Sequence, residues 1–403
     1  MAEPIRLADA SRDRYRALGL HGSVWQLGHV RRASALVVGA GALGNEVAKN
    51  LAMMGVRLLV VVDKDDVEVA NLTRSVFYRE SDHGRPKADV LAGRLRELNP
   101  DVAVLPLCGD LESVVGLGLL RRVDLIFSCL DNRLARYNLN RMCHTVARPW
   151  VDGAMENLFG EVAVYRPDHG PCYACTLSKD EMVRIAEAKS CQRVVRSNVA
   201  VGKVPTTPTM GSIVAALQVQ EALKVLHGDW KRSLAGRKLV INCLTNDFYP
   251  TQSDRKPDCL GHRRFGEVTE VPGWRADRTT PRDVLSKLKA ETGEDGWLKL
   301  ERDVVGSVRC PGCLWEERFD PVLPRITEAQ ARCPRCAEER EPVLLNRIDA
   351  GSPLADRPLA RLGVAPLDVL QASWSDEGAR WYELTGDAAL LNPALAGRGR
   401  HRP

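Results

Sequence analysis

Apolar residues near the start of the chain come in short unbroken runs, separated by stretches of helical period. Ala35-Leu36-Val37-Val38 is the first run. After it, Val47, Ala48, Leu51 and Met54 fall on one face of a predicted helix over 45–54, and Gly55 supplies a natural stop. Residues 57–62 are apolar after the first, the mark of a parallel strand covered on both faces. A second helix is predicted over 86–98, with proline in its first turn. A buried strand follows over 123–130 and a third helix over 133–147. This alternation predicts an α/β fold, a doubly wound, Rossmann-like, mostly parallel sheet.

Past Asp152 the pattern changes. Residues 161–165 read as a strand outside the nucleotide-binding half, and residues 178–207 read as a mobile crossover loop with at most a turn or two of helix near Glu181. Thr207-Pro208 opens a helix that carries Met210, Ile213, Val214, Leu217, Leu223 and Leu226 and stops at Gly228. The expected organisation is an adenylation domain over 1–262, a linker over 263–277, a small C-terminal zinc-ribbon-containing domain over 278–395 and a disordered tail over 396–403.

Composition narrows the class. With 403 residues, 44% apolar and 27% charged, the chain suits a soluble protein of two or three domains. The net charge of +5 is spread thinly, so no nucleic acid is expected as a partner. Residues 1–16 lack an apolar leader core and no run approaches a membrane span, so a cytoplasmic protein with no membrane partner is expected. Seven of the twelve cysteines fall in four spaced pairs: Cys172/Cys175, Cys259/His262, Cys310/Cys313 and Cys333/Cys336. Such pairs are metal knuckles more often than disulfides in a chain of this kind. Nineteen residues separate Cys313 from Cys333, which is zinc-ribbon spacing. Cys108, Cys129, Cys143 and Cys243 read as small structural residues, leaving Cys191.

The candidate chemistry lies between 39 and 132. Gly39, Gly41 and Gly44, with Ala42 between them, form a glycine turn after the first strand, and Asp63 ends the second strand where it can hold a ribose. Those groups alone would favour a nicotinamide or flavin enzyme. Arg74 and Lys87 add two cations that a dehydrogenase does not need, and Asp131 ends the fourth apolar run as a candidate Mg²⁺ ligand. The set points to ATP with its α-phosphate as the reacting centre. A nicotinamide-dependent oxidoreductase remains the alternative from another class.

These residues, with Asp63-x-Asp65, Asn71-x-x-Arg74, Pro86-Lys87-Ala88, Asp131-Asn132-x-x-Ala135-Arg136, Asp152-Gly153 and Pro171-Cys172-x-x-Cys175, resemble the ThiF/MoeB/ubiquitin-activating superfamily of E1-like adenylyltransferases. The resemblance covers roughly residues 12–262. It implies adenylation of the C-terminal glycine of a ubiquitin-like or sulfur-carrier protein, with ATP and Mg²⁺. Arg74 and Lys87 would hold phosphate oxygens, Asn71 would orient phosphate, and Asp131 with Asn132 would sit at the metal and polyphosphate. It also implies a homodimer in which an N-terminal arginine, Arg14 or Arg16, completes the partner's site. Cys172, Cys175, Cys259 and His262 would form one structural Zn²⁺ site, with histidine where the family has cysteine. Cys310, Cys313, Cys333 and Cys336 would form a second. Cys191, among Arg184, Lys189, Arg193 and Arg196, is the candidate nucleophile for a thioester. The expected function is activation of a ubiquitin-like modifier, with a conjugating enzyme as a candidate further partner. The alternative is a sulfur carrier serving thiamine, molybdopterin or natural-product synthesis.

Overall fold

The computed structural model describes residues 13–19, 25–189, 206–323 and 326–396. Its first sheet has eight strands in the order β3-β2-β1-β4-β5-β6-β7-β8. These are β1 Ser34–Val38, β2 Leu58–Asp63, β3 Ala103–Cys108, β4 Leu125–Ser128, β5 Trp150–Glu156, β6 Phe159–Tyr165, β7 Arg237–Asn242 and β8 Asp247–Gln252. Strands β3, β2, β1, β4 and β5 are parallel, and β6, β7 and β8 run antiparallel to their neighbours. The order reverses between β1 and β4, so a crevice opens at the carboxyl ends of those two strands, where ligands of such sheets bind.

Alternation within β1 explains its unbroken apolar run. Ala35 and Val37 face one layer, Leu36 and Val38 the other, and all four are buried. The first layer is made by α1 (Ala42–Met53), α2 (Lys87–Leu98) and α7 (Pro208–Leu226). The second contains α3 (Leu111–Val114), α4 (Leu117–Arg122) and α5 (Arg133–Thr145). Helices α3 and α4 are short, and Leu367, Val369, Ala388 and Leu395 complete this layer from far along the chain. Full burial of an aliphatic side chain such as Leu395 contributes about 1.5–3 kcal/mol.

The helix α6 (Lys179–Lys189) replaces most of the expected start of the crossover loop. Ser178 and Glu181 start it reciprocally: the Glu181 N–H donates to Ser178 Oγ (3.2 Å) and the Ser178 N–H donates to Glu181 Oε2 (2.8 Å). Ile185 on this helix is buried in the second layer. Cys191 lies outside the described residues.

The C-terminal part has its own six-stranded sheet and core. Strand β10 (Trp297–Arg309) pairs antiparallel with β11 (Glu316–Leu323), β12 (Glu341–Asp349) and β13 (Val369–Ser373). Strand β14 (Ala379–Glu383) pairs with β13 and, in parallel, with β9 (Val268–Glu270). Helix α8 (Pro281–Thr292) packs Val284, Leu285 and Leu288 into this core. Thus the segment expected as a linker over 263–277 contributes a strand. Its pairing partner lies more than a hundred residues away, so no local pattern announces it.

The two sheets are joined through α4. The Leu117 N–H donates to Asp368 Oδ1 (2.8 Å) and the Gly118 N–H to the Leu367 carbonyl (2.9 Å). A Cβ on Gly116 would lie 2.4 Å from the Pro366 carbonyl oxygen, so only glycine permits this approach. Beside it, fully buried Glu383 of β14 is ion-paired with both Arg121 and Arg122.

Removing one partner of a buried ion pair strands the other charge, which costs about 3–5 kcal/mol. Glu383→Ala is expected to lower the unfolding free energy by about that amount in denaturant titrations. Asp368 gives a pH prediction. Burial raises its carboxyl from 3.8 to about 7, against the opposing N–H groups of Leu117 and Val369. A folded-state value above the unfolded one gives a contribution fully present below 3.8 and lost as the pH climbs through about 7. Thermal unfolding of the wild type across that window should therefore fall more steeply with pH than that of Asp368→Asn, which keeps an acceptor but does not titrate.

Candidate nucleotide site and metal centres

The glycine turn joins β1 to α1 at the switch point. Gly39 has φ +99°, and a Cβ there would lie 2.5 Å from the Cys129 carbonyl oxygen just beyond β4. A Cβ on Gly44 would lie 1.8 Å from the Gly39 carbonyl oxygen, so the helix can meet the turn only through glycine. Gly41 is the N-cap of α1, and a Cβ on it would meet no heavy atom within 4 Å. Open space therefore lies over the helix N-terminus, whose amides favour an anion.

Asp63 ends β2 facing this turn. Its Oδ2 accepts from the Ala40 N–H (2.6 Å) and its Oδ1 from the Asp65 N–H (2.8 Å). Burial pushes its carboxyl above the ordinary value, although those two N–H groups and Lys87 pull it back. Lys87, the first residue of α2, is buried and sends Nζ to Asp65 Oδ2 (3.1 Å). The structure thus brings together Gly39, Gly41, Ala42, Gly44, Asp63, Asp65 and Lys87.

The remaining predicted groups surround this set with other commitments. Asn71 Oδ1 accepts from the Glu68 N–H (2.9 Å), so that oxygen shapes its own turn. Arg74 is partly exposed and donates to the Ala70 carbonyl (3.0 Å). Asp131 is exposed beyond the end of β4, with Asn132 Nδ2 at 3.3 Å. Asn132 caps α5 by accepting from the Ala135 N–H (2.8 Å). Arg14 donates to Asn99 Oδ1 (2.5 Å) at the C-terminal end of α2, and Tyr15 beside it packs on Gly55. That places Arg14 and the exposed Arg16 at the amino ends of the strands, away from the glycine turn of their own chain.

Two groups that the sequence reading passed over support the turn from beneath. Asn45 donates through Nδ2 to the carbonyls of Ala40 (2.8 Å) and Gly41 (3.0 Å). Tyr78 donates its hydroxyl to the same Ala40 carbonyl (2.5 Å), and burial pushes its phenol far above the ordinary value. Asn45 directly follows the last glycine, a position that could have drawn notice; Tyr78 carries no comparable signal.

Each predicted cysteine set closes in space. Cys172 Sγ lies 3.8 Å from Cys175 Sγ and 3.7 Å from Cys259 Sγ, while Cys175 Sγ is 3.2 Å from His262 Nε2. In the second set Cys310 and Cys336 are 3.4 Å apart, and Cys313 and Cys333 are 3.6 Å apart. All four ligand atoms of each set lie within 4.8 Å of one another. A tetrahedron of sulfur around zinc has edges of ~3.8 Å, given Zn–S bonds of ~2.3 Å, so both donor sets fit that ion. The Lys256 N–H points at Cys175 Sγ (3.4 Å). That contact favours the thiolate a metal needs at Cys175, whereas burial and the neighbouring thiols push Cys172 up.

A glycine turn at the switch point of a doubly wound sheet, with an acid ending the next strand, defines a nucleotide-binding α/β protein. The chain belongs to the ThiF family, which it matches over residues 15–261. It is 37% identical over 241 residues to the sulfur carrier protein adenylyltransferase of Thermus thermophilus, an overlap of 57% of this chain and 82% of that one. It is 34% identical over 232 residues to the SAMP-activating enzyme E1 of Haloferax volcanii, with 58% and 81% covered. With the adenylyltransferase and sulfurtransferase MOCS3 of Sus scrofa it shares 33% identity over 258 residues, 64% of this chain but only about half, 53%, of the pig protein. Among solved structures, E. coli MccB with ATP aligns at a TM-score of 0.51 and 21% identity, over 63% of this chain and 75% of that one, a likeness of fold. Family membership sets aside the nicotinamide alternative. Among the described residues, no helix is long and apolar enough to cross a membrane.

The two candidate metal sets yield a count. Gently purified protein is expected to hold two zinc ions per chain by elemental analysis, and Cys333→Ser should lose one while the first set, on separate short helices, keeps its own.

Proposed function

We propose that this protein uses ATP to adenylate the C-terminal glycine of a small sulfur-carrier protein. The observation that carries the reading is the placement of Lys87 beside Asp63 and Asp65 at the glycine turn: a buried cation where the phosphates of a ribose-bound nucleotide would lie. The sequence alone favoured a modifier for protein conjugation. The names of the relatives in Thermus and Sus favour sulfur-carrier chemistry, which becomes the main reading here.

The reaction joins two anions, so charge neutralisation and alignment are its main requirements. Asp63 would take the ribose hydroxyls. The N-terminal amides of α1 and the Lys87 ammonium would receive phosphate oxygens, Lys87 turning from Asp65 to do so. Arg74, which now donates to the Ala70 carbonyl, would also meet the polyphosphate. Asp131, exposed at the carboxyl end of β4, would hold Mg²⁺, which neutralises the polyphosphate. The carrier carboxylate then attacks the α-phosphorus and pyrophosphate leaves. Arg14 or Arg16 would serve the site of a second copy in a homodimer, since the structure keeps Arg14 at the far end of its own sheet.

The exposed end of the first sheet suits a protein substrate. In the β6-β7-β8 register, Phe159, Val240 and Tyr249 share the face turned away from α7, and Phe159 and Tyr249 are about half exposed. These side chains, beside the Lys238–Glu161 ion pair on the same face, would offer mixed apolar and charged contacts to a carrier. The second reading is conjugation, in which the acyl group moves on to a thiol. It is supported by the Haloferax relative, named for activating SAMP.

Two measurements test these readings. Lys87→Ala and Asp131→Ala should each lower carrier-dependent ATP–pyrophosphate exchange by ~10²–10³, the usual loss for one preorganised charge contact. Exchange at the wild-type rate in both would refute adenylation at this site. Cys191→Ala should leave exchange intact; loss of a thiol-sensitive carrier adduct with it would favour conjugation over direct sulfur transfer.

A further inference from the structure

The glycine turn is held from below by two side chains with no access to a bound nucleotide. Asn45 is fully buried, and Tyr78 is 3% exposed. Between them they place two donors on the Ala40 carbonyl and one on the Gly41 carbonyl. Asn45 also accepts from the Phe77 N–H at 3.2 Å, and the Tyr78 hydroxyl lies 3.3 Å from the Lys87 carbonyl. The pair therefore links the turn to the segment carrying Arg74 and to the first residue of α2.

We propose that Asn45 and Tyr78 are positioning residues that aim the phosphate-binding amides of the turn and fix their spacing to Lys87. The proposal rests on the nucleotide reading above. Its physical basis is the trans peptide, whose N–H points opposite its C=O. Drawing the Ala40 carbonyl inward turns the Gly41 N–H outward. The Gly41 carbonyl accepts both the first helical bond, from the Asn45 N–H (2.9 Å), and Asn45 Nδ2 (3.0 Å), which does the same for the Ala42 N–H. The ground over Gly41 is open, so outward amides face space that an anion can fill. Gly39, at φ +99°, sits in a region with few neighbouring minima for other residues but several for glycine, so the turn needs an outside restraint to keep one orientation.

A positioning role makes a prediction that general stability does not. Adenosine has no phosphates, so its affinity should not depend on these amides. Calorimetric titration of the full chain with ATP and with adenosine separates the two. Tyr78→Phe keeps the buried ring and removes one donor. It should bind ATP about tenfold more weakly, the equivalent of one lost buried hydrogen bond, and adenosine within about twofold of wild type. Asn45→Asp keeps the acceptor for Phe77 and sets a carboxylate against two carbonyls, so its loss for ATP should be at least as large. Equal losses for ATP and adenosine, or an unchanged ATP affinity in Tyr78→Phe, would overturn the proposal while leaving the nucleotide reading in place. A wild-type protein that binds neither ligand would overturn both.

Discussion

The constraint on which the molecule depends is that its central strands are apolar on both sides. Each face of the first sheet must therefore be covered, or Leu36, Val38, Val60 and Ile126 would meet water. The layer formed by α1, α2 and α7 does this with long helices. The opposite layer has only two short helices between β3 and β4, and Leu367, Val369, Ala388 and Leu395 supply what those helices lack. The C-terminal part is therefore continuous with the core under the nucleotide site, and the Glu383 ion pairs and the Gly116 approach lie at that seam.

The seam also reaches towards the chemistry. Helix α3 begins just beyond β3, whose end pairs with Asp63. Its Ser113 receives a hydrogen bond from Arg302 of β10 (2.8 Å), and its Glu112 accepts from Arg141 (3.2 Å), which also reaches Glu301 (3.1 Å). One rim of the crevice is thus braced by the second sheet. The opposite rim is held by the Asn45 and Tyr78 contacts. Between these braces, the exposed Asp131 and the partly exposed Arg74 keep the freedom to meet a ligand.

Much of the nucleotide half was legible because its signals are local. A parallel strand buried on both faces is an apolar run, and the candidate site residues sit where the run stops, as at Gly39, Asp63 and Asp131. The cysteine pairs were equally legible, since metal spacing is written into each pair. The start of α6 was readable too, in the Ser178-x-x-Glu181 cap, but its weak apolar face hid it. Strand β9 had no such signal: three residues become a strand only because β14 lies beside them. Tyr78 was hidden for the same reason, its partner at Ala40 being 38 residues earlier. Roles that depend on contacts across the chain leave no period in the sequence.

The shared second layer also orders events during synthesis. Domains generally fold as units, N-terminal first, as the chain emerges. Here β1, β2 and β4 are complete by Ser128, yet the residues that finish covering one of their faces begin at Leu367. For more than two hundred residues of translation, part of that face stays without its native cover. The native cover of that face is therefore among the last parts of the fold that synthesis can supply.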